Sequence, residues 1–101
     1  MKIAVAALKK GEDSEISAQA GRSPFYLIFD ERGKLLEELK NPFSVGGGGA
    51  GFGVAKMLAD KEVSAVAAGK FGANMANALK ERGIRVYEMK GTVKEALAKF
   101  P

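Results

Sequence analysis

The chain has 101 residues, 47% of them hydrophobic, and contains neither Cys nor His; it suits a single domain over residues 1–101 with one modest core, and no apolar run approaches the roughly 20 residues that span a bilayer. The missing side chains exclude disulfides, thiolate nucleophiles, the usual zinc sites and histidine acid–base chemistry, so a binding protein is expected rather than an enzyme. A net charge of +4 could suggest nucleic acid, but the bases alternate with acids in Asp30-Glu31-Arg32-Gly33-Lys34, Asp60-Lys61-Glu62 and Lys80-Glu81-Arg82, which describes a solvated mixed-charge surface and not a phosphate-tracking stripe.

Residues 2–8 form an almost continuous apolar run with small residues at Ala4, Ala6 and Ala7, the pattern of a strand buried on both faces. As a secretory leader it is too short, and Lys9, Lys10, Gly11 and Glu12 follow where cleavage would occur, so a cytoplasmic protein is expected. Residues 9–24 are polar and small and read as a loop. Residues 25–30, aromatic and β-branched, read as a second strand. Glu31-Arg32-Gly33 makes a short turn into a hairpin partner over 34–39, which Asn41-Pro42 ends. Residues 52–59 carry Phe52, Ala55 and Ala59 on one helical face and Val54 and Leu58 beside it. A small-residue strand over 63–68 closes at Gly69. A helix over 74–82 stops at Gly83, a strand follows at 84–88, and Thr92 and Glu95 have the capping-box spacing for a last helix ending near Phe100.

The order β, β, β, α, β, α, β, α gives a three-layer α/β/α sandwich with three helices. Its mixed five-stranded sheet has the order 3-2-1-4-5, with strand 2 antiparallel and right-handed crossovers between the parallel strands. The loops 9–23, 41–49, 69–73 and 89–91 then leave the sheet at one edge, beyond the strand carboxyl ends, where open α/β sheets bind ligands.

Most of the unusual residues lie in those loops. Gly46-Gly47-Gly48-Gly49-Ala50-Gly51-Phe52-Gly53 contains a G-x-G-x-x-G pattern. It follows the second strand of a hairpin, however, and no acid stands about 20 residues on to hold a ribose, so no nucleotide is expected. What remains is side-chain-free backbone ahead of a helix, either an anion cradle or a flexible lead-in. Arg22, in Gln19-Ala20-Gly21-Arg22-Ser23-Pro24, offers a planar fork for an oxyanion, although most loop arginines are merely solvated. Gly69-Lys70-Phe71-Gly72-Ala73-Asn74 joins a base and an amide to two glycines, with Asn74 readable either as a site residue or as a helix N-cap. Asp13, Gln19, Arg22 and Asn74 are expected around one shallow pocket.

Six segments in order, 13–17, Gly21-Arg22-Ser23-Pro24-Phe25, 46–53, 69–79, Gly83-Ile84-Arg85-Val86-Tyr87 and 91–97, resemble the dinitrogenase iron–molybdenum cofactor biosynthesis family, that is, NifX-like proteins and the carboxyl-terminal domain of NifB. The resemblance implies a ribonuclease-H-like fold and the binding or carriage of iron–molybdenum cofactor or an iron–sulfur precursor cluster, alongside other cofactor-assembly proteins. It implies ligand contacts from Asp13, Ser17, Gln19, Gly21, Arg22, Gly46, Gly47, Gly48, Gly49, Lys70, Gly72 and Asn74. Where such relatives carry a His-Phe pair this chain has Gln19 and Ala20. Clusters prefer thiolate or imidazole ligands, so the expectation here is an anion gripped from its outer surface by backbone amides, Arg22 and Lys70.

Two other functions compete with this reading. A ribonuclease-H-like fold suggests a metal-dependent nuclease, but the strands 2–8 and 63–68 hold no carboxylate to carry paired metal ions. A ligand-free interaction module would show an exposed apolar patch around Phe43 and Phe52. Separately, Gln19 is the only Gln and Asn41, Asn74 and Asn77 the only Asn, a composition found in thermophile proteins.

Overall fold

The computed structural model describes residues 1–46 and 48–100. Along them run β1 (Lys2–Ala7), β2 (Phe25–Asp30), β3 (Leu35–Lys40), α1 (Ala50–Asp60), β4 (Val63–Ala68), α2 (Ala73–Glu81), β5 (Arg85–Glu88) and α3 (Val93–Lys99). The sheet has the order β3-β2-β1-β4-β5. β2 is antiparallel to both its neighbours, whereas β1–β4 and β4–β5 are parallel. This is the mixed five-stranded arrangement expected from the sequence.

Alternation along the strands divides the core into two layers. Ala4, Ala6, Tyr26, Ile28 and Val66 pack on one face with Val54 and Leu58 of α1 and Met75 and Leu79 of α2. Ile3, Val5, Leu27, Phe29 and Ala67 pack on the other with Val93 and Ala96 of α3. Alanines on the two-helix face let α1 and α2 sit low on the sheet. Leu58 and Leu79 are fully buried there, each contributing on the order of 1.5–3 kcal/mol.

Local signals set the element ends. In the β2–β3 hairpin the Asp30 carboxylate accepts from the amides of Arg32 and Lys34 at 2.8 and 2.9 Å. These bonds, the Lys34 amide foremost, hold the carboxyl below its usual range. At the end of α2, Gly83 adopts φ 74, its amide donates to Lys80 O, and the Ile84 amide reaches back to Leu79 O; this paired closure satisfies two terminal carbonyls. Thr92 and Glu95 form the reciprocal capping box at the start of α3.

α1 starts at Ala50, two residues before the expected Phe52. The cause is that Gly51 and Gly53 serve packing inside the helix: a Cβ on Gly51 would stand 2.8 Å from the Met75 Cβ, and one on Gly53 would enter the Phe43 ring at 2.5 Å. α2 likewise begins at Ala73 with Gly72 at its N-cap. Asn74 is therefore the second helical residue and not the cap.

Candidate functional site

At the carboxyl edge of the sheet the loop after β1 is bound to the loop after β4. Gly69 N donates to Ser17 O at 2.8 Å and Ala20 N to Lys70 O at 3.0 Å. Gly69 permits this approach, since a Cβ there would lie 2.8 Å from Ala18 Cα. The segment after Ala20 is then fixed from below by three buried polar side chains. The Tyr26 phenol donates to Ala20 O, and burial pushes its ionisation far above the ordinary tyrosine value. Ser23 Oγ lies 3.1 Å from Ala7 O and 2.7 Å from Phe25 O. Asn41, 1% exposed, donates to Gly21 O at 3.2 Å and Ser23 O at 2.9 Å and accepts from the Phe43 amide at 2.9 Å.

Above this foundation lies a cavity of about 560 Å³, whose walls are formed by Gln19, Gly21 and Arg22, by Ala50 and Gly51 of α1, and by residues 70–75. The size is within the range of small-molecule sites, roughly 300–1,000 Å³. Two helix N-termini contribute to it. The first helical bonds are Gly53 N to Gly49 O in α1 and Ala76 N to Gly72 O in α2, so the amides of Ala50, Gly51, Ala73, Asn74 and Met75 precede them. Neither N-terminus has a side-chain cap or an acidic residue in its first turn. Arg22 and Lys70 add cationic side chains, and no Asp or Glu lines the cavity. Arg22 Nη1 donates to Phe43 O at 3.0 Å, which orients the guanidinium. The cavity wall is thus positively polarised, by helix ends and by full charges together.

Of the residues implied by the sequence, Gln19, Gly21, Arg22, Lys70, Gly72 and Asn74 line this one cavity. Asp13 does not. It is exposed, in a turn closed by Ser14 N to Gly11 O and tied to α3 through Lys94 N to Glu12 O, because the β1 exit loop first passes over the α3 layer. Ser17 is buried, its Oγ 3.4 Å from Gln19 O, and holds the loop from beneath. Gly46, Gly48 and Gly49 lie outside the lining, Gly49 serving as the α1 N-cap at φ 85; Gly47 falls outside the described residues. Sequence reasoning missed Tyr26, Ser23 and Asn41 beneath the site and Ala50, Gly51, Phe71 and Met75 in its wall. A tyrosine in a fully buried strand was a usable signal, because its hydroxyl must find a partner.

For metal chemistry the donor set is narrow. Among the described residues no group of three or more His, Cys, Asp or Glu could hold a metal ion. The cavity presents amides, one guanidinium, one ammonium, two carboxamides and the thioether of Met75. These suit hydrogen bonding and charge pairing to a ligand's outer atoms, and not coordination of iron by hard-held thiolate or imidazole.

The family model described as "Dinitrogenase iron-molybdenum cofactor" matches residues 1–101. Among solved structures, the apo form of the orange protein (ORP) from Desulfovibrio gigas superposes with a TM-score of 0.91 at 28% identity, covering 98% of this chain and 85% of that one. The Thermotoga NifB-type protein TM1290, of the DUF35 family, gives a TM-score of 0.82 at 30% identity over 96% of this chain and 84% of its own. PH0822, at 21% identity and a TM-score of 0.82, covers 97% of this chain and 87% of its own and shares the fold. No curated protein matches the sequence.

Proposed function

The chain belongs to the dinitrogenase iron–molybdenum cofactor family, and from that premise we propose that it is a small carrier, not an enzyme, which holds an anionic metal cluster as cargo. The cargo class is the iron–molybdenum cofactor or an iron–sulfur precursor of it. One observation carries the reading: two uncapped helix N-termini, Arg22 and Lys70 converge on one cavity whose lining contains no carboxylate. Multiply charged anions are the ligands such a wall favours. The grip falls on the outer atoms of the cluster, with Arg22 and Lys70 supplying charge, the first-turn amides and the Gln19 and Asn74 carboxamides supplying donors, and Met75 the one soft atom. The reading includes a single domain acting in the cytoplasm beside other cofactor-assembly proteins. No helix among the described residues is long and apolar enough to cross a membrane.

The test is anaerobic titration with isolated iron–molybdenum cofactor, followed by cluster absorbance and retention on gel filtration. Wild type, Arg22→Glu and Gln19→His are compared. A charge-assisted hydrogen bond contributes roughly 1.5–3 kcal/mol, so losing the guanidinium weakens binding about ten- to a hundredfold, and the introduced carboxylate adds repulsion. Gln19→His binds an iron-containing cluster more tightly, since imidazole is an iron ligand. Equal affinity of Arg22→Glu and wild type would overturn the anion grip. Failure of all three to bind would favour the interaction module. For that module one observation is available: Phe52 and Val45 are 55% and 82% exposed, although Phe43 is packed over Gly53.

A further inference from the structure

The two edges of the sheet are finished differently. On β3 the acidic side chains have internal partners: Glu37 pairs with Lys61 at 2.9 Å, and Glu38 accepts from the Gly11 amide at 2.8 Å. Charges held along an edge discourage strand addition. On β5 the charges stand at the two ends, Arg85 donating to Met1 Sδ at 3.7 Å and Glu88 partnered across to the Phe71 amide, with Val86 and Tyr87 between them. Arg85, Val86 and Glu88 are exposed and Tyr87 is half-buried, with Val86 at 39%. The Met89 amide donates to Ala68 O at 2.9 Å, and Glu88 stands in register with Ala68. Parallel-ladder alternation therefore turns the main-chain groups of Arg85 and Tyr87 toward β4 and those of Val86 and Glu88 outward. Beside this edge, between α2 and β5, runs a groove of about 580 Å³ walled by Ala76, Lys80, Ile84, Arg85, Val86 and Tyr87 among others, with no carboxylate in its lining. Residues 80–90 carry Lys80, Arg82, Arg85 and Lys90 against Glu81 and Glu88, and the Glu88 carboxylate accepts from the Phe71 amide at 3.3 Å.

We propose that β5 is a docking edge that takes an extended acidic segment of a partner protein as a sixth strand, hydrogen-bonded to the outward groups of Val86 and Glu88. Side chains on one face of that segment, small and apolar, enter the α2–β5 groove against Ala76 and Val86, and the carboxylates that alternate with them meet the positive charge of Lys80 and Arg85 beside it. Main-chain bonds supply affinity and the groove supplies the side-chain preference, as in other strand-addition complexes. A second copy of this chain is the poorer occupant, because it would bring the same four cations against each other. This surface adjoins the cavity wall through the Glu88–Phe71 bond, but its strand edge and groove are not the groups that line the cavity.

The experiment uses the full chain and three labelled seven-residue peptides: alternating Val and Glu, the same with Lys for Glu, and the acidic peptide with alternate amides N-methylated. Binding is read by fluorescence anisotropy and the oligomeric state by sedimentation. The acidic peptide binds, the lysine peptide and the N-methylated peptide bind at least tenfold more weakly, and Lys80→Glu with Arg85→Glu weakens the acidic peptide by at least tenfold. Val86→Pro removes a main-chain donor that faces solvent and no ladder bond to β4, so it folds as an edge-strand proline does and abolishes peptide binding. Val86→Thr, which keeps that donor, restores it. Absence of acidic-peptide binding to wild type, equal binding of the lysine peptide, or unchanged binding by Val86→Pro would each overturn the proposal. So would a wild-type dimer that Val86→Pro converts to monomer, which would make a second copy the occupant.

Discussion

Gly51 of α1 and Met75 of α2 meet backbone to backbone: a Cβ on Gly51 would lie 2.8 Å from the Met75 Cβ and 3.3 Å from its Cα and N. The contact brings the first turns of both helices to one cavity. It also explains why a glycine is kept inside a helix, where alanine would ordinarily gain up to about 1 kcal/mol.

Gly51→Ala is expected to destabilise the fold despite that propensity. The atoms facing the new methyl are the Met75 Cβ and its main-chain Cα and N, none of which can rotate aside, and overpacking of this kind costs about 1–3 kcal/mol. Urea unfolding should show a net loss of up to about 2 kcal/mol. Gly48→Ala, with open space around it, should stay within about 0.5 kcal/mol of wild type. Equal midpoints for the two variants would refute the packing argument.

Asn41→Ala should cost about 2–4 kcal/mol, because it strips partners from Gly21 O, Ser23 O and the Phe43 amide together and leaves buried groups unsatisfied. Since Arg22 is anchored on Phe43 O, anion binding should weaken in the same variant, at protein concentrations and temperatures where it remains folded. Chemical denaturation and anion titration on one preparation check both; a stable variant with displaced Arg22 geometry alone is not expected.

Tyr26→Phe separates a hydrogen bond from a titration. The folded state holds the phenol protonated by burial, so its ionisation there lies above that in the unfolded chain. This contribution to stability is complete below about pH 10 and declines as pH rises past it, when the unfolded tyrosine ionises. Loss of the bond to Ala20 O should cost about 0.5–1.5 kcal/mol at neutral pH, while the alkaline decline becomes shallower than in wild type. Urea midpoints between pH 7 and about 11 decide; parallel curves for the two proteins would remove burial of Tyr26 as the cause.

At the acid side Glu31 is held low by the N-terminal ammonium, and the groups held chiefly by the backbone are Asp30 and Glu95. Both carboxyls are held below their usual range by main-chain donors, Lys34 for Asp30 and Thr92 for Glu95. Their contribution is present above the ordinary carboxylate pKa, about 4, and is lost as pH falls through the lowered folded values. Glu95→Gln keeps a side chain able to complete the capping box but does not titrate, so its stability should fall less steeply below about pH 4. An acid limb identical to wild type, followed by circular dichroism, would exclude Glu95 as a contributor.

Much of the fold was legible because it follows from short-range pattern. The bounds of β2 and β4 coincide with their hydrophobic runs, the capping box of Thr92 and Glu95 formed at its spacing, and Gly83 closed α2 where a left-handed residue was needed. The strand order followed from the hairpin and the handedness of the crossovers. The candidate site was legible only in part. Gln19, Arg22 and Lys70 were placed in loops at the carboxyl edge of the sheet, and Asn74 at the start of the helix that follows, because the topology alone sends those segments there.

What the sequence by itself determined is a chain without His or Cys, hence without soft ligands beyond methionine, folded as an α/β/α layer structure with Arg22, Lys70 and several glycines at one edge. Only the tertiary structure decided that Asp13 turns away over α3, that Gly51 lies inside a helix and packs against Met75, and that Asn41 and Tyr26 hold the Ala20–Ser23 segment. The physical reason is range. Periodicity and capping act over a few residues and are written in neighbouring side chains. Bonds from Asn41 to Gly21 and Ser23 and the approach of Gly51 to Met75 join positions about 20 residues apart in sequence. Their partners are chosen by how the layers pack, and no local pattern encodes that choice.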